Sequence, residues 1–444
     1  MKIESVRTEG LGDSTYILAH DGLGLIVDPQ RDIDRFTSIV ETLGIEIRWV
    51  LETHLHNDYV SGARDIATAL DAELVLPAGA APAFRHRPAF HREELIANGL
   101  SIRPLHTPGH TPEHVSYLVI IEGQEEAVFS GGSLLVGSSG RSDLLGIERA
   151  ETLARLQYQS VNRLTELPDP VGLYPTHGAG SFCTALSVAR ETSTIGDEKR
   201  SNPVLQHADA DSFVVAQLSG LVPFPAYYRY MGPTNLEGRP APDLTPPPVL
   251  SRARFDELDT SVTVVDARPK AAFAAGHIPG SLGMELRDDF GVWVGWVTEF
   301  NSPLLLVVDP GQSIDEAQRQ LARIGYDRIV GVVIDLPAWD IEFSSFPIHD
   351  VNSFTARMAE QVPVLDVRAP NEWDSGVIEG SHLRYVPDLA GTAAMPQGID
   401  PDRPLLIGCE SGYRASLAAS LLQRKGYQPE VLTGAGIPDV LNAI

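Results

Sequence analysis

The sequence predicts a multidomain α/β protein, and three observations support that prediction. Short apolar runs bounded by glycine or polar residues alternate with segments of helical spacing, as strands and helices do. The chain has 444 residues, more than one ordinary hydrophobic core can organise. Its carboxyl-terminal part also contains two similar stretches of sequence, which indicates two copies of one small domain.

The first domain is expected over residues 1–195. Apolar runs predict strands in this range and helical spacing predicts helices: strands at 16–18, 25–27 and 49–51, and helices over 65–70 and 150–164. Several histidines follow apolar runs, on predicted loops. Because function usually collects on loops held by a rigid scaffold, these histidines are the first candidates for a site.

Residues 196–250 differ from what precedes them. They are rich in proline and include a run of three prolines at 246–248. Proline lacks a backbone donor and interrupts helices and strands, so this density predicts a connector. Its aromatic cluster, with Tyr227 and Tyr228, predicts that part of the connector packs on a neighbouring domain.

Two copies of a smaller domain are predicted, over residues 251–345 and 346–444. Each copy has the order strand, turn, strand, loop and helix, which implies a small parallel α/β unit. Three pairs of segments correspond between the copies: 265–268 (VDAR) with 365–368 (LDVR), 276–281 (GHIPGS) with 376–381 (GVIEGS), and 304–313 with 405–414, the last pair offset by one further residue.

The charge balance excludes some classes of partner. The chain carries 34 Lys and Arg against 59 Asp and Glu, a formal net charge of −25. A surface this acidic repels phosphate backbones and anionic lipid, so neither nucleic acid nor a membrane is an expected partner. The two cysteines cannot form a disulfide framework, and no apolar run reaches the roughly 18 residues of a membrane span. We therefore expect a cytoplasmic protein.

Three short segments carry histidines after apolar runs. The first contains His54, His56 and Asp58, the second ends at His110, and the third contains His177. Two imidazoles and a carboxylate at alternate positions can converge on one metal ion from a loop at a strand end. A lone histidine is more often a packed or surface residue, but three such segments together predict a metal site.

These motifs resemble those of the metallo-β-lactamase superfamily over residues 1–195. The resemblance implies an αββα sandwich with the metal at one edge. Hydrolases of that superfamily usually read HxHxDH, and the last histidine helps to hold a second metal. Tyr59 stands at that position here, which argues against a two-zinc hydrolase centre.

Within the superfamily, the motifs are most similar to those of the persulfide dioxygenases, which use one ferrous ion. The resemblance implies that His54 and His110 bind Fe(II). Further candidate ligands are His56, Asp58 and His177. The family's third ligand, an aspartate, falls on Gly132, so the triad of two histidines and a carboxylate is incomplete. Either water or Asp58 fills the gap, or the metal domain is altered. Replacing Gly132 with aspartate is expected to restore the triad if the loop accepts a side chain.

A second constellation surrounds Cys409, which lies between an apolar run at 405–407 and a helical segment at 415–423. A thiol there faces backbone N–H groups and a helix amino terminus, both of which stabilise a thiolate or a bound anion. Arg414 can close the loop or hold an anionic sulfur group. The residues expected to bind substrate are Glu410, Ser411, Gly412 and Tyr413.

The segment 409–414 (CESGYR) resembles the rhodanese loop CxxGxR, which accepts sulfane sulfur as a cysteine persulfide. The resemblance implies that Cys409 and Arg414 are catalytic. In the first copy the equivalent of Cys409 is Val308 or Asp309, and neither side chain can carry sulfane sulfur. Only the second copy, over residues 346–444, is therefore predicted to transfer sulfur.

Together the resemblances imply an Fe(II)-dependent enzyme that oxidises a low-molecular-weight thiol persulfide with O₂ to sulfite. Cys409 would transfer sulfane sulfur to or from that chemistry, forming or consuming thiosulfate. Two alternatives remain open: a zinc-dependent hydrolase of the thioester type, and a sulfurtransferase with a degenerate metal domain. Assembly into a homo-oligomer is compatible with each of them.

Overall fold

The computed structural model describes residues 1–184, 190–219, 221–391 and 395–444. The chain folds as two compact units, Met1–Asp243 with Ala322–Gly325 and Leu244–Leu321 with Tyr326–Ile444. Within the described ranges, none of the helices combines the length and apolar character that crossing a membrane requires. The elements confirm the α/β class predicted from the sequence.

The first unit begins with a six-stranded sheet whose strands follow one another in chain order. They are β1 (Lys2–Thr8), β2 (Asp13–His20), β3 (Leu23–Val27), β4 (Glu46–Leu51), β5 (Glu73–Pro77) and β6 (Arg87–Ala89). The first three strands pair antiparallel and the later ones parallel. The three predicted strands lie within β2, β3 and β4, so the apolar runs located them correctly.

The second sheet of this unit also has six strands, in the order β14-β13-β10-β9-β8-β7. The strands are β7 (Leu95–Ala97), β8 (Leu100–His106), β9 (Val115–Ile121), β10 (Gln124–Gly131), β13 (Gly172–Pro175) and β14 (Ser193–Thr194), and a separate hairpin is formed by β11 (Leu134–Leu135) and β12 (Ser138–Ser139). β10 pairs antiparallel with β9 and parallel with β13. β8 and β13 therefore belong to one sheet, and the loops that follow them carry His110 and His177.

Helices accompany both sheets. They are α1 (Asp34–Leu43), α2 (Ala63–Ala69), α3 (Ile147–Leu164), α4 (Ile195–Ser201), α5 (Ala210–Ser219) and α6 (Tyr228–Glu237). Trp49, Tyr117 and Phe129 pack between the two sheets. Phe36 of α1 and Ile66 of α2 belong to the core on the first sheet's other face, and α3 contributes to the core behind the second sheet. The αββα sandwich implied by the resemblance is therefore confirmed.

The segment expected to be a connector, residues 196–250, contains more regular structure than its composition predicts. It includes most of α4 and all of α5 and α6. Pro203 begins a 3-10 helix, where its missing N–H costs nothing, while Pro233 lies inside α6. Tyr227 and Met231 are buried, so this part packs within the first unit. Proline content alone does not exclude helices in this segment, because one proline begins a helix and another is accommodated in a helix interior.

The second unit contains two sheets of parallel strands. The first has the order β16-β15-β17-β18, with strands β15 (Thr263–Asp266), β16 (Leu282–Gly283), β17 (Leu304–Val308) and β18 (Ile329–Ile334). The accompanying helices are α7 (Arg252–Asp256), α8 (Lys270–Ala275), α9 (Phe290–Val297) and α10 (Ile314–Arg323). Parallel strands joined through helices are what the repeated strand and helix pattern predicts.

The other sheet has the order β19-β23-β22-β20-β21. Its strands are β19 (Ile348–His349), β20 (Val364–Asp366), β21 (His382–Leu383), β22 (Pro404–Gly408) and β23 (Gln428–Leu432). Its helices are α11 (Val351–Ala359), α12 (Pro370–Trp373), α13 (Tyr413–Gln423) and α14 (Ile437–Ala443). The predicted helix at 415–423 corresponds to α13, which begins two residues earlier.

The two copies share a buried ion pair at the end of their first long strand. Arg268 binds Asp266 through two nitrogens, and Arg368 binds Asp366 in the same way, with closest distances of 2.7 Å. In both copies this arginine also donates to the carbonyl of a glycine eight residues further on, at 2.7 Å. The repeat therefore extends to side-chain contacts.

Strand pairing determines which residue of the first copy corresponds to Cys409. In the first copy the aspartate at the strand end pairs with Val307, and in the second the equivalent aspartate pairs with Gly408. The next residue is Val308 in one copy and Cys409 in the other. Of the two alternatives left open by the sequence, pairing selects Val308.

Candidate metal centre and sulfur-transfer loop

Three histidines from separate loops meet at one edge of the sandwich. His54 follows β4, His110 follows β8 and His177 follows β13. One ring nitrogen from each lies within 4.8 Å of the others, and the Nε2 atoms of His54 and His177 are 3.2 Å apart. The side chains are at most 1% exposed. The three segments predicted from the sequence therefore converge.

Hydrogen bonds fix the orientation of the His110 ring. Its Nδ1 lies 2.8 Å from the carbonyl oxygen of Arg141, to which it donates. Its backbone N–H donates to Oε1 of Gln157, also at 2.8 Å. Because Nδ1 carries the proton, the Nε2 lone pair is available, and among the described residues that atom has no hydrogen-bond partner.

The other two rings are held through Nδ1 as well. His177 Nδ1 lies 2.8 Å from the Asp13 carboxylate, and His54 Nδ1 lies 2.8 Å from Oγ1 of Thr53. Such contacts to the outer nitrogen set the tautomer of metal-binding histidines in general. The two Nε2 atoms consequently face the space that Nε2 of His110 also faces.

The electrostatics favour neutral imidazoles at this centre. Burial lowers the pKa of His54 and His110 well below the ordinary histidine value, and neighbouring imidazoles lower it further. Burial also lowers the pKa of His177. Neutral imidazoles with converging lone pairs are the form of histidine that binds divalent metals. The donors present therefore fit a metal ion, and three nitrogens suit zinc or iron alike.

His56 occupies a different environment. Its Nε2 lies 2.9 Å from a Glu52 oxygen and 3.3 Å from an Asp28 oxygen. Although burial opposes ionisation, these two carboxylates raise the pKa of His56 well above its ordinary value. The ring is thus held as a cation between two acids. His56 also belongs to two further groups with metal-ligand spacing, one with Asp28 and His54 and one with Asp58 and His177.

Asp58 lies beside the cluster of His54, His110 and His177 and is not one of its three donors. Burial and the charge of Asp13 raise the pKa of Asp58 to about 7, and burial raises the pKa of Asp13 to about 7. Both raised pKa values reflect the cost of holding two carboxylate charges in one buried site. Cys183 donates from Sγ to Asp58 at 3.5 Å, and burial raises its pKa well above the ordinary thiol value. Cys183 is a protonated packing partner of this acidic pair.

The position of the absent carboxylate is occupied by the His110 ring. A Cβ atom built on Gly132 would lie 2.2 Å from Cδ2 of His110, far inside van der Waals contact. The N–H of Gly132 donates to Nε2 of His114 at 2.9 Å, which fixes the loop. Restoration of the triad by an aspartate at 132 was conditional on room for a side chain, and a side chain there requires the His110 ring to move.

We instead predict that Gly132→Asp lowers the metal content of the purified protein. The new Cβ would displace the His110 ring and with it one Nε2 donor, at a cost of about tenfold or more in metal affinity. Metal analysis of dialysed protein measures the effect. Gly391→Asp is the matched control, because a Cβ there meets only one atom of the residues that the structure describes, at 3.9 Å. A rise in bound metal in Gly132→Asp would show that the ring yields and the carboxylate becomes a ligand.

Four buried residues at this centre were not anticipated from the sequence: Asp13, Asp28, Glu52 and His114. Asp28 accepts hydrogen bonds from the N–H and the hydroxyl of Thr53, both at 2.7 Å, and so anchors the loop that carries His54. The sequence contains a pattern that could have identified Asp28, since this residue directly follows the apolar run of β3. Asp13 gave no such signal, because it lies at the start of its strand.

The sulfur-transfer loop lies in the second unit, between β22 and α13. Cys409 is 1% exposed, and its Sγ accepts the N–H of Gly412 at 3.1 Å. Gly412 has a φ of 82°, and a Cβ atom there would lie 2.8 Å from the carbonyl oxygen of Leu432. Glycine is therefore required at 412 both by backbone conformation and by space. The loop aims a backbone donor at the sulfur, as predicted.

Arg414 closes this loop through an ion pair. Its two terminal nitrogens bind the two carboxylate oxygens of Glu372, one of them at 2.7 Å. Although burial raises it, the pKa of Glu372 is lowered overall by Arg414 and by the N–H of Ala369. The sequence left two roles open for Arg414, closing the loop or holding an anionic sulfur group. The ion pair with Glu372 is the contact that closes the loop. Glu410 and Ser411 are exposed at the loop surface, whereas Tyr413 is buried.

The corresponding loop of the first copy is completed by other residues. Val308 takes the place of the cysteine and is buried. The N–H of Asp309 donates to Oε1 of Gln312 at 2.7 Å, and Nε2 of Gln312 donates to the carbonyl of Ala267 at 2.8 Å. A glutamine bridge thus replaces the thiol and arginine of the second copy.

From this geometry we expect Asp309→Ala to leave both oxygen uptake and sulfur transfer within about twofold of the parent, as for most surface substitutions. The Asp309 side chain is not needed for the glutamine bridge, which uses the backbone. Steady-state assays of both activities test the expectation. A large loss with an unchanged melting temperature would reveal a role for this carboxylate.

Two family models match the chain. The model of the metallo-beta-lactamase superfamily matches residues 8–177, and the model of the rhodanese-like domain matches residues 252–339 and 350–436. The first range includes all of the converging histidines. The second contains Cys409 in its later copy.

Two relatives of known sequence are named as hydrolases. A probable metallo-hydrolase of Burkholderia pseudomallei (strain 1710b) is 31% identical over 208 residues, covering 41% of this chain and 68% of that protein. A hydroxyacylglutathione hydrolase of Methylobacillus flagellatus is 30% identical over 164 residues. The match covers 36% of this chain and 60% of the hydrolase.

A similar solved structure spans more of the molecule. It is a metallo-beta-lactamase from Staphylococcus aureus subsp. aureus COL, 27% identical, with a TM-score of 0.67. The match covers 75% of this chain and 99% of that one. The family models, the similar proteins and the converging histidines agree with one another. The chain therefore belongs to the metallo-beta-lactamase superfamily and carries two rhodanese-like domains after its metal domain.

Proposed function

We propose that the chain is a sulfur-handling enzyme that oxidises a low-molecular-weight thiol persulfide at a ferrous centre and transfers sulfane sulfur at Cys409. One observation carries the proposal. The same chain combines three converging, neutral imidazole Nε2 atoms with a thiol whose sulfur accepts a backbone N–H on a CxxGxR loop. Sulfur chemistry at both sites explains why these two domain types occur together.

The overall chemistry balances in two steps. One thiol persulfide, one O₂ and one water give one thiol, one sulfite and two protons. In the second step, the terminal sulfur of a Cys409 persulfide bonds to sulfite, the S–S bond breaks, and thiosulfate and the Cys409 thiolate result. The second step also runs in reverse, so Cys409 either consumes or forms thiosulfate.

The residues of the metal domain orient the donors. When bound, an iron ion would supply an open coordination position for substrate sulfur and redox chemistry with O₂. Thr53, Asp13 and the Arg141 carbonyl hold the outer nitrogens of the three rings, so that the Nε2 atoms stay directed inward. Burial of the rings excludes bulk water from the donor atoms.

In the sulfur-transfer domain, the Gly412 N–H stabilises the Cys409 thiolate and the anionic persulfide that replaces it. The start of α13 adds the positive end of a helix dipole next to the same sulfur. Arg414 contributes by closing the loop on Glu372.

A zinc-dependent thioester hydrolase is the second candidate, and two observations favour it. The donor cluster contains three histidines and no carboxylate, a set that zinc enzymes use to activate water. The related Methylobacillus protein is named hydroxyacylglutathione hydrolase. A sulfurtransferase with a degenerate metal domain is the third candidate, and it requires that the histidine cluster hold no catalytic metal.

Anaerobic purification followed by metal analysis separates these candidates. We expect about one iron per chain, and oxygen uptake when glutathione persulfide or coenzyme A persulfide is added. Stoichiometric zinc with hydrolysis of S-lactoylglutathione and no oxygen uptake would overturn the dioxygenase proposal. Absence of metal with retained transfer from thiosulfate to cyanide would support the third candidate.

A further inference from the structure

Helix α9 of the first rhodanese-like domain is apolar on every face. Its sequence is FGVWVGWV, and all of its residues except the last are buried. Trp293 and Trp296 are each only 7% exposed. A helix that is hydrophobic all round must be covered on all sides. The residues that pack on α9 therefore indicate a role for this domain, which lacks the cysteine.

Part of the cover is the sulfur-transfer loop of the other domain. The Trp293 ring meets the Tyr413 ring edge-on, with 6.2 Å between centroids. The guanidinium carbon of Arg287 lies 4.2 Å from the centre of the same tyrosine ring. Edge-to-face contacts and cations above aromatic rings are both attractive arrangements, and each restricts the ring's orientation. Tyr413 is consequently 4% exposed.

One carboxylate holds both groups that contact Tyr413. The indole N–H of Trp293 donates to Oδ2 of Asp289 at 3.0 Å. Nε of Arg287 lies 3.3 Å from the other oxygen of Asp289. Asp289, Arg287 and Trp293 therefore form a fixed clamp around Tyr413, which we call the Tyr413 clamp.

The position of Tyr413 determines the environment of the sulfur. It directly follows Gly412, whose N–H is the donor to Cys409 Sγ. Gly412 has a φ of 82° and is bonded directly to Tyr413, so the two residues share one turn of backbone at the start of α13. A shift of Tyr413 would therefore move the N–H away from the sulfur.

A second contact supports the same side of the loop. Trp296 meets the ring of Tyr385 edge-on, with 5.6 Å between centroids. Burial raises the pKa of Tyr385, and the nearby charge of Arg414 lowers it by a smaller amount, so the two side chains are neighbours. The cysteine-less domain thus contacts Tyr413 directly and approaches Arg414 through Tyr385.

We propose that the rhodanese-like domain without a cysteine positions the sulfur-transfer loop, because its Tyr413 clamp keeps the Gly412 N–H on the Cys409 sulfur. The inference rests on the proposed role of Cys409 as sulfur carrier. Arg287 and Trp293 are positioning residues and touch no substrate. Two divergent copies are then both needed, one for the chemistry and one for the geometry of the loop.

Arg287→Gln and Trp293→Leu in the full chain test the clamp. The matched controls are Arg254→Gln and Trp339→Leu in the same domain, whose side chains contact Glu257 and Phe255. The first readout is the rate at which iodoacetamide alkylates Cys409, followed by peptide mass spectrometry across the pH range in which thiols ionise. The second is kcat for transfer from thiosulfate to cyanide.

We expect both clamp variants to be alkylated about three- to tenfold more slowly at neutral pH, because the reactive thiolate loses the backbone N–H that stabilises it. The pH profile should move to higher pH, kcat for transfer should fall in parallel, and the controls should match the parent. Oxygen uptake should be unchanged. A merely structural contact would alter the melting temperature without moving the pH profile.

Alkylation and transfer at control levels in both clamp variants would overturn the inference. If Trp293→Leu fails to fold, Arg287→Gln decides alone, since its side chain is 46% exposed and its loss leaves no cavity. A separate outcome concerns the proposed function: slowed alkylation in the clamp variants, together with undiminished transfer in Cys409→Ser, would retain the clamp but reject Cys409 as the carrier.

Discussion

Cys409→Ser should reduce transfer of sulfane sulfur from thiosulfate to cyanide by roughly three orders of magnitude or more, as loss of a covalent nucleophile does in other enzymes. A serine hydroxyl is not ionised near neutral pH and cannot carry a persulfide. The loop should survive the change, because serine is nearly the size of cysteine and its oxygen can still accept the Gly412 N–H. Oxygen uptake and metal content should remain at the parental level.

The chain offers a matched control for this variant in its other cysteine. Cys183 is buried beside Asp58, and burial raises the pKa of its thiol well above the ordinary value. Cys183→Ser should therefore leave sulfur transfer intact. Mass spectrometry after exposure to thiosulfate should find one additional sulfur on the Cys409 peptide and none on the Cys183 peptide. Transfer that persists in Cys409→Ser and disappears in Cys183→Ser would reverse the assignment.

The strands and the domain types were predictable because the sequence encodes them locally. Apolar runs located β2, β3 and β4, and the VDAR and LDVR segments revealed the repeat. The same local patterns placed His54, His110 and His177 after strands. Since the ends of neighbouring strands meet at one edge of a layered fold, their convergence could be expected.

What could not be predicted depends on three-dimensional packing. The roles of Glu52 and Asp28 arise only because the fold brings both carboxylates to His56, at separations that no local pattern encodes. The His110 ring fills the space beside Gly132, and a glycine in a sequence does not reveal which neighbour fills the space of its absent side chain. The helices within 196–250 are not evident from the sequence, because prolines there indicate a connector and the burial of Tyr227 and Met231 depends on the folded unit.

The one-residue offset between the two copies is another feature that the sequence alone does not resolve. Sequence alignment left the equivalent of Cys409 at Val308 or Asp309, because both placements preserve the apolar strand. Hydrogen-bonded pairing of the strands removes the ambiguity, since register fixes which residues lie opposite one another. The loops then agree in detail, with glycines of positive φ three residues after Val308 and after Cys409.

His110→Ala should remove most of the bound metal, and His54→Ala and His177→Ala should do the same. Each substitution deletes one of three Nε2 donors, and losing even a residue that only orients a ligand costs about 10- to 100-fold in metal affinity. Metal analysis after dialysis against a weak chelator measures the loss. His86→Ala serves as the control, because His86 is partly exposed and its ring nitrogen bonds only the Phe84 carbonyl among the described contacts.

His56→Ala should give a different result. Its ring nitrogen lies between Glu52 and Asp28, so its removal leaves two buried carboxylates facing one another. Breaking a buried ion pair on one side costs about 3–5 kcal/mol of folding stability. We therefore expect a lower melting temperature with a smaller loss of metal. The reverse pattern, with metal lost in His56→Ala and retained in His110→Ala, would place the ion in the alternative group of Asp28, His54 and His56.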